Sequence, residues 1–265
     1  AARARFEREA LTLASLEHPN VVGYVAHGLP LDAPPWLAME WVVGVSPDEA
    51  TLSLADALCV LRGAARGLSA AHGRGVIHRD IKPSNLILVD GDPEQVKLLD
   101  FGIARGLAAG DGAVTLTATG ETIGTPHYMA PEQARGNKDV DARVDVYALG
   151  AVLYQLIAGR PPLEGQSAIA VLAKILLEEP TPIEELVEGL PEGVSALVHG
   201  MLAKDREQRL PDAHAVLRAL DTLPLPTSSP VRRSTLPSRA LGVAERRLVC
   251  VVFVGGAGEA TSVYA

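Results

Sequence analysis

The sequence predicts an α+β fold in which strands fall before residue 100 and helices dominate after residue 130. Three observations carry this. Strand-length apolar runs occur at Val21–Gly28, Trp36–Val43, Leu86–Val89 and Val96–Leu99. Apolar positions recur at three- and four-residue intervals over 54–71 and again beyond 141. Polar fragments of a catalytic kind, His78-Arg79-Asp80-Ile81-Lys82-Pro83-Ser84-Asn85, Asp100-Phe101-Gly102 and Ala130-Pro131-Glu132, lie between these patterns.

Taken in order, Phe6, Ala10, Leu13 and Leu16 predict a helix over 3–17 that ends at His18-Pro19-Asn20. The first two strands follow, separated by a Pro-rich turn at 30–35. Leu54, Leu58, Leu61, Ala65 and Leu68 make one buried stripe on the next helix. Pro83 keeps residues 78–85 out of any helix, and the strands at 86–89 and 96–99 come after this loop. Residues 103–124 are rich in Gly, Ala and Thr and read as a mobile loop. The segment 141–158 is apolar nearly all round, which predicts a central helix ending at Gly159. Further helices are expected at about 167–178, 192–203 and 212–220. Residues 222–244 are a Pro-, Ser-, Thr- and Arg-containing linker, and 245–265 open a second module with a strand.

Composition narrows the function. The 265 residues are 48% hydrophobic, enough for an ordinary core, and no apolar run approaches the ~20 residues that cross a bilayer. With 24 basic against 32 acidic residues and a net charge of −8, the chain lacks the basic character of a nucleic-acid binder. Cys59 and Cys250 have no metal-ligand spacing and fit a reducing cytosol, so a cytoplasmic location is expected.

In loop 78–85, Asp80 and Asn85 can aim two oxygen-bearing side chains at one phosphoryl group, with Lys82 as the neighbouring cation. Together with Asp-Phe-Gly and Ala-Pro-Glu, in this order, the loop resembles the Ser/Thr protein kinases of the bacterial eukaryotic-like group over about residues 3–222. The resemblance implies a bilobal protein-kinase fold. Residues 1–43 would form part of the small lobe (its C helix and last two strands), and 44–221 the large lobe. ATP and Mg2+ would be the cofactors, and Ser/Thr hydroxyls of proteins the acceptors.

The resemblance also assigns roles. Asp80 is the base, Lys82 neutralises the transferring group, Asn85 and Asp100 hold Mg2+, and Thr125 bonds to Asp80 and Lys82. Met39 guards the back of the nucleotide pocket, and Glu40-Trp41-Val42 form the hinge that binds adenine. Glu9 matches the glutamate that pairs with the ATP-binding lysine; a solvated helix glutamate is the alternative. Glu132 pairs with Arg209, and Asp145 braces the catalytic-loop backbone. Arg79 would grip an activation-loop phosphate, for which Thr117 and Thr119 match best, and a homodimer would serve such autophosphorylation.

The family's Gly-rich loop and strand lysine are not found in these residues. The chain is therefore expected to be a fragment of a longer protein and to transfer phosphate poorly by itself. Competing expectations are a pseudokinase-like scaffold and a regulatory input to a downstream cyclase or ATPase module. Glu245–Gly256 resembles the opening strand of class III nucleotide cyclase modules, although Gly255 stands where their metal-binding aspartate would be.

Overall fold

The computed structural model describes residues 2–30, 34–101, 126–223 and 249–253. Helix α1 (Ala2–Ala14) buries Phe6, Ala10 and Leu13, the stripe seen in the sequence, and packs on β1 (Tyr24–Gly28). Strand β1 runs antiparallel to β2 (Trp36–Glu40), with Tyr24 opposite Met39 and Gly28 opposite Trp36.

A second sheet joins β3 (Gly44–Val45), β4 (Leu86–Val89) and β5 (Val96–Leu98), all antiparallel neighbours. The first strand starts at Tyr24 rather than at Val21, and the second sheet explains the difference. Val22 N–H donates to the Leu98 carbonyl at 2.9 Å, so Val21 and Val22 pair with β5 instead of β2. Val249–Phe253, from the segment expected to open a second module, forms β6 antiparallel to β2. Trp36 lies opposite Phe253 and Glu40 opposite Val249, so the edge of β2 that β1 leaves open is hydrogen-bonded.

Helix α2 (Leu54–His72) begins at a capping box. The Ser53 hydroxyl accepts the Asp56 N–H at 3.2 Å, and the Asp56 carboxylate accepts the Ser53 N–H at 2.9 Å. Its buried face holds β5 and the Asn20 turn. The Asn20 side-chain amide donates to the Val96 carbonyl at 2.8 Å, and its carbonyl accepts from Leu98 N–H at 2.9 Å. Gly67 permits this approach, because a Cβ there would stand 2.7 Å from the Asn20 carbonyl oxygen.

The helical part comprises α3 (Pro131–Ala134), α4 (Arg143–Ala158), α5 (Ala168–Leu177), α6 (Glu192–Leu202) and α7 (Ala213–Thr222). Helix α4 is central: Val144 through Tyr154 are all buried, and it contacts α2 and α6. It starts at Arg143, two residues later than expected, because the Asp141 carboxylate takes the Arg143 N–H at 3.0 Å. It stops at Gly159, whose φ of 72° suits a residue without Cβ. One apolar core runs from Phe6 and Leu13 through Leu58 and Leu98 to Tyr147, Met201 and Leu220. A smaller cluster of Leu163, Val171 and Ile175 supports Met129 and Ala134.

Candidate active site

Residues 78–85 connect α2 to β4, and each backbone turn in this loop has an identifiable restraint. His78 is fully buried, stacks at a tilt on Phe101 with centroids 4.6 Å apart, and donates from Nε2 to the Leu99 carbonyl at 2.7 Å. This leaves Nδ1 to accept the Asp80 N–H at 3.3 Å. Asp145, buried in α4, accepts the His78 N–H at 2.8 Å and the Arg79 N–H at 2.7 Å. Arg79 can therefore be held at a φ of 65°, a region that costs a non-glycine residue roughly 1–2 kcal/mol.

Asp80 lies where these restraints converge. Asn85 Nδ2 donates to the Asp80 carbonyl at 2.7 Å and to its Oδ2 at 3.2 Å, and Lys82 Nζ stands 3.1 Å from the same Oδ2. Both Asn85 donor positions point to Asp80, so its Oδ1 is the oxygen left to act as a ligand. Asp80 and Lys82 line one crevice and keep partial access to solvent, while Asn85 is buried.

Asp100 follows β5 with a φ of 45°. Part of its surface is open to solvent, yet protein packed around the carboxyl raises its pKa above the ordinary 3.8, with Lys82 opposing and Asp80 reinforcing the shift. Among the described residues none donates a hydrogen bond to that carboxylate. A carboxylate oxygen of this kind suits a hard divalent cation. Among the described residues no three His, Cys, Asp or Glu cluster.

The remaining expected residues divide into several groups. Met39 is buried on β2, Val42 is half-buried, and Trp41 is partly exposed at the start of the connection to β3. The Glu40 carboxylate makes an ion pair with Lys97 of β5, and its backbone N–H donates to the Gly23 carbonyl at 2.8 Å. Glu132 and Arg209 make a bidentate buried pair at 2.6 and 2.9 Å. Arg209 also donates to the Ala203 carbonyl at 2.7 Å and lies 5.0 Å over the Tyr147 ring. Glu9 falls on α1. Thr117, Thr119 and Thr125 lie outside the described residues.

Two contributors were not found in the sequence. His72 accepts the Ala213 N–H at Nδ1, 3.2 Å away, so its ring proton sits on Nε2 and is donated to Asp145 at 2.9 Å. Gln133 bonds to the backbone of Ala130 and of Arg79. His72 closes the stripe of α2 and Gln133 directly follows Ala-Pro-Glu, but neither position carries a local pattern that names its partner.

The protein kinase domain family model matches residues 2–219. The chain belongs to the protein kinase family. It is 40% identical over 223 residues to the serine/threonine-protein kinase PknB of Mycobacterium tuberculosis, covering 81% of this chain and 35% of that protein. To the serine/threonine-protein kinase pkn3 of Myxococcus xanthus it is 37% identical over 256 residues, covering 92% and 47%. The chain thus spans less than half the length of these kinases. A crystal structure of Rad53 1-466 in complex with AMP-PNP shares the fold, with a TM-score of 0.64 and 23% identity over 82% of this chain and 53% of that one. As a kinase domain, the chain has the mixed small lobe and mostly helical large lobe of its family.

Proposed function

We propose that these residues carry the catalytic core of a Ser/Thr protein kinase, moving the ATP γ-phosphoryl group to serine or threonine hydroxyls of protein substrates. The single observation behind this is the Asp80, Lys82 and Asn85 set: one carboxylate fixed by an amide and faced by an ammonium at 3.1 Å. Bound Mg-ATP supplies the transferable phosphoryl group and cationic charge over its oxygens. Asp80 accepts the hydroxyl proton as the new P–O bond forms and the bond to the β–γ bridging oxygen breaks. Lys82 offsets charge on the transferring group. Asn85 and Asp100 offer the oxygens that hold the cation, and the backbone of Glu40 to Val42, backed by Met39, holds adenine.

Thr125, which the family resemblance pairs with Asp80 and Lys82, is the proposed selector for Ser/Thr, Glu9 the partner of a strand lysine, and Arg79 the receiver of a phosphate on Thr117 or Thr119. A homodimer for that autophosphorylation and a cytoplasmic location belong to the same reading. The lack of a Gly-rich loop or strand lysine in residues 1–265 predicts weak Mg-ATP binding by these residues alone. A cyclase-like module beginning near Glu245 has only its sequence pattern in support. Among the described residues no helix is long and apolar enough to cross a membrane. The test is phosphate transfer to matched Ser, Thr and Tyr peptides by the kinase with its phosphate-covering loop and strand lysine present. Labelling of Ser and Thr but not Tyr is expected; labelling of Tyr alone would overturn the assignment.

A further inference from the structure

The peptide bond between Arg79 and Asp80 is the one that aims the catalytic base, and it is held from both sides. Its N–H donates to His78 Nδ1 at 3.3 Å, and its carbonyl accepts from Gln133 Nε2 at 3.1 Å. Gln133 is half-buried on α3, and its other amide atom, Oε1, accepts the Ala130 N–H at 3.1 Å. Ala130 has no hydroxyl to cap α3 in return, and the Gln133 amide links the two backbones. The segment leading into α3 is itself fixed: the Tyr128 hydroxyl donates to Gln155 of α4 at 2.6 Å. Residues 79–82, Tyr128, Met129 and Gln133 line one small crevice, so this amide lies where the base and the segment before α3 meet.

We propose that Gln133 is a positioning residue for phosphoryl transfer, tying the 126–130 segment to the peptide that orients Asp80. Arg79 sits at a φ of 65°, from which its peptide would relax if released. Asp145 restrains the N–H side of Arg79, while Gln133 restrains the carbonyl side. The glutamine amide supplies a donor and an acceptor on separate atoms, one for each backbone; asparagine does too, but is a methylene too short to keep the same reach. A shift of the 126–130 segment is thereby felt at the base through the Gln133 amide.

The inference rests on the kinase reading, and the test separates the two. Gln133→Glu keeps the acceptor for Ala130 N–H but sets a carboxylate oxygen against the Arg79 carbonyl; Gln133→Ala removes both bonds. In the kinase with its phosphate-covering loop and strand lysine present, Gln133→Glu is expected to lower kcat about tenfold, with the KM for ATP and the Tm unchanged, as misplacement of a reacting group does. In residues 1–265, amide exchange of Asp80 and Ile81 should quicken in both variants while α4 stays as protected as before. Native-like exchange at Asp80 in both variants, or a kcat for Gln133→Glu within about twofold of native, would overturn the proposal. If the native enzyme labels no peptide, the kinase reading fails and the exchange measurement still decides the role of Gln133.

Discussion

Asp145 accepts the backbone N–H of Arg79 at 2.7 Å, so the loop at 78–85 is anchored to a helix that is buried from Val144 through Tyr154. The same carboxylate takes the His78 N–H and the His72 ring proton. Asp145→Ala would leave these buried donors unmatched, at about 1–3 kcal/mol for each one. Denaturant unfolding should therefore show a loss of several kcal/mol, and His72→Ala a smaller one. A double-mutant cycle in which the two losses simply add would contradict the shared network.

The Glu132–Arg209 pair is buried, bidentate and further satisfied by the Ala203 carbonyl. Removing one partner strands the other charge, so Glu132→Ala should cost about 3–5 kcal/mol in urea unfolding. By contrast, Lys97→Met, which breaks a more exposed pair with Glu40, should cost under about 1 kcal/mol. Equal losses for the two would show that burial does not set the difference.

Asp100 gives a pH dependence with a definite sign. Its folded pKa lies above the ordinary 3.8, so the folded chain holds this proton more tightly than the unfolded chain does. As pH falls through that value, this group's contribution to stability rises, because a crowded charge is neutralised, while affinity for Mg2+ falls, because the ligand is lost. Mg-nucleotide titrations across the acid range should show weakening that begins at a higher pH than a carboxyl at the ordinary 3.8 would give, and that disappears in Asp100→Asn. An acid limb unchanged in that variant would refute the assignment.

Strand β6 adds the final pairing to the small-lobe sheet, with Ala38 opposite Val251. Val252, opposite Leu37, lies at a hydrogen-bonded position of this ladder, so Val252→Pro removes a ladder N–H and should speed amide exchange across Leu37 to Glu40 without altering α4. Unchanged exchange in β2 would mean that β6 does not protect this edge.

Contiguous features were legible in the sequence, because the residues of loop 78–85 and the stripe of α2 carry their own local patterns. The Glu132–Arg209 contact followed from motif position alone. What stayed hidden depends on pairings across long stretches of chain: Val22 choosing Leu98 over β2, Lys97 reaching Glu40, and His72 joining Ala213 to Asp145. Hydrophobic periodicity identifies which face is buried but not which polar group waits there. The two-residue strand β3 is too short for any alternation to register.

The central claim is that Asp80 acts as the base of a phosphoryl transfer. The most direct measurement is labelled-phosphate transfer to a Ser/Thr peptide by Asp80→Asn and by the native kinase, each with the phosphate-covering loop and strand lysine present. A loss of roughly 10²–10⁴ in turnover, with ATP affinity retained, is predicted. Transfer by Asp80→Asn at the native rate would contradict it.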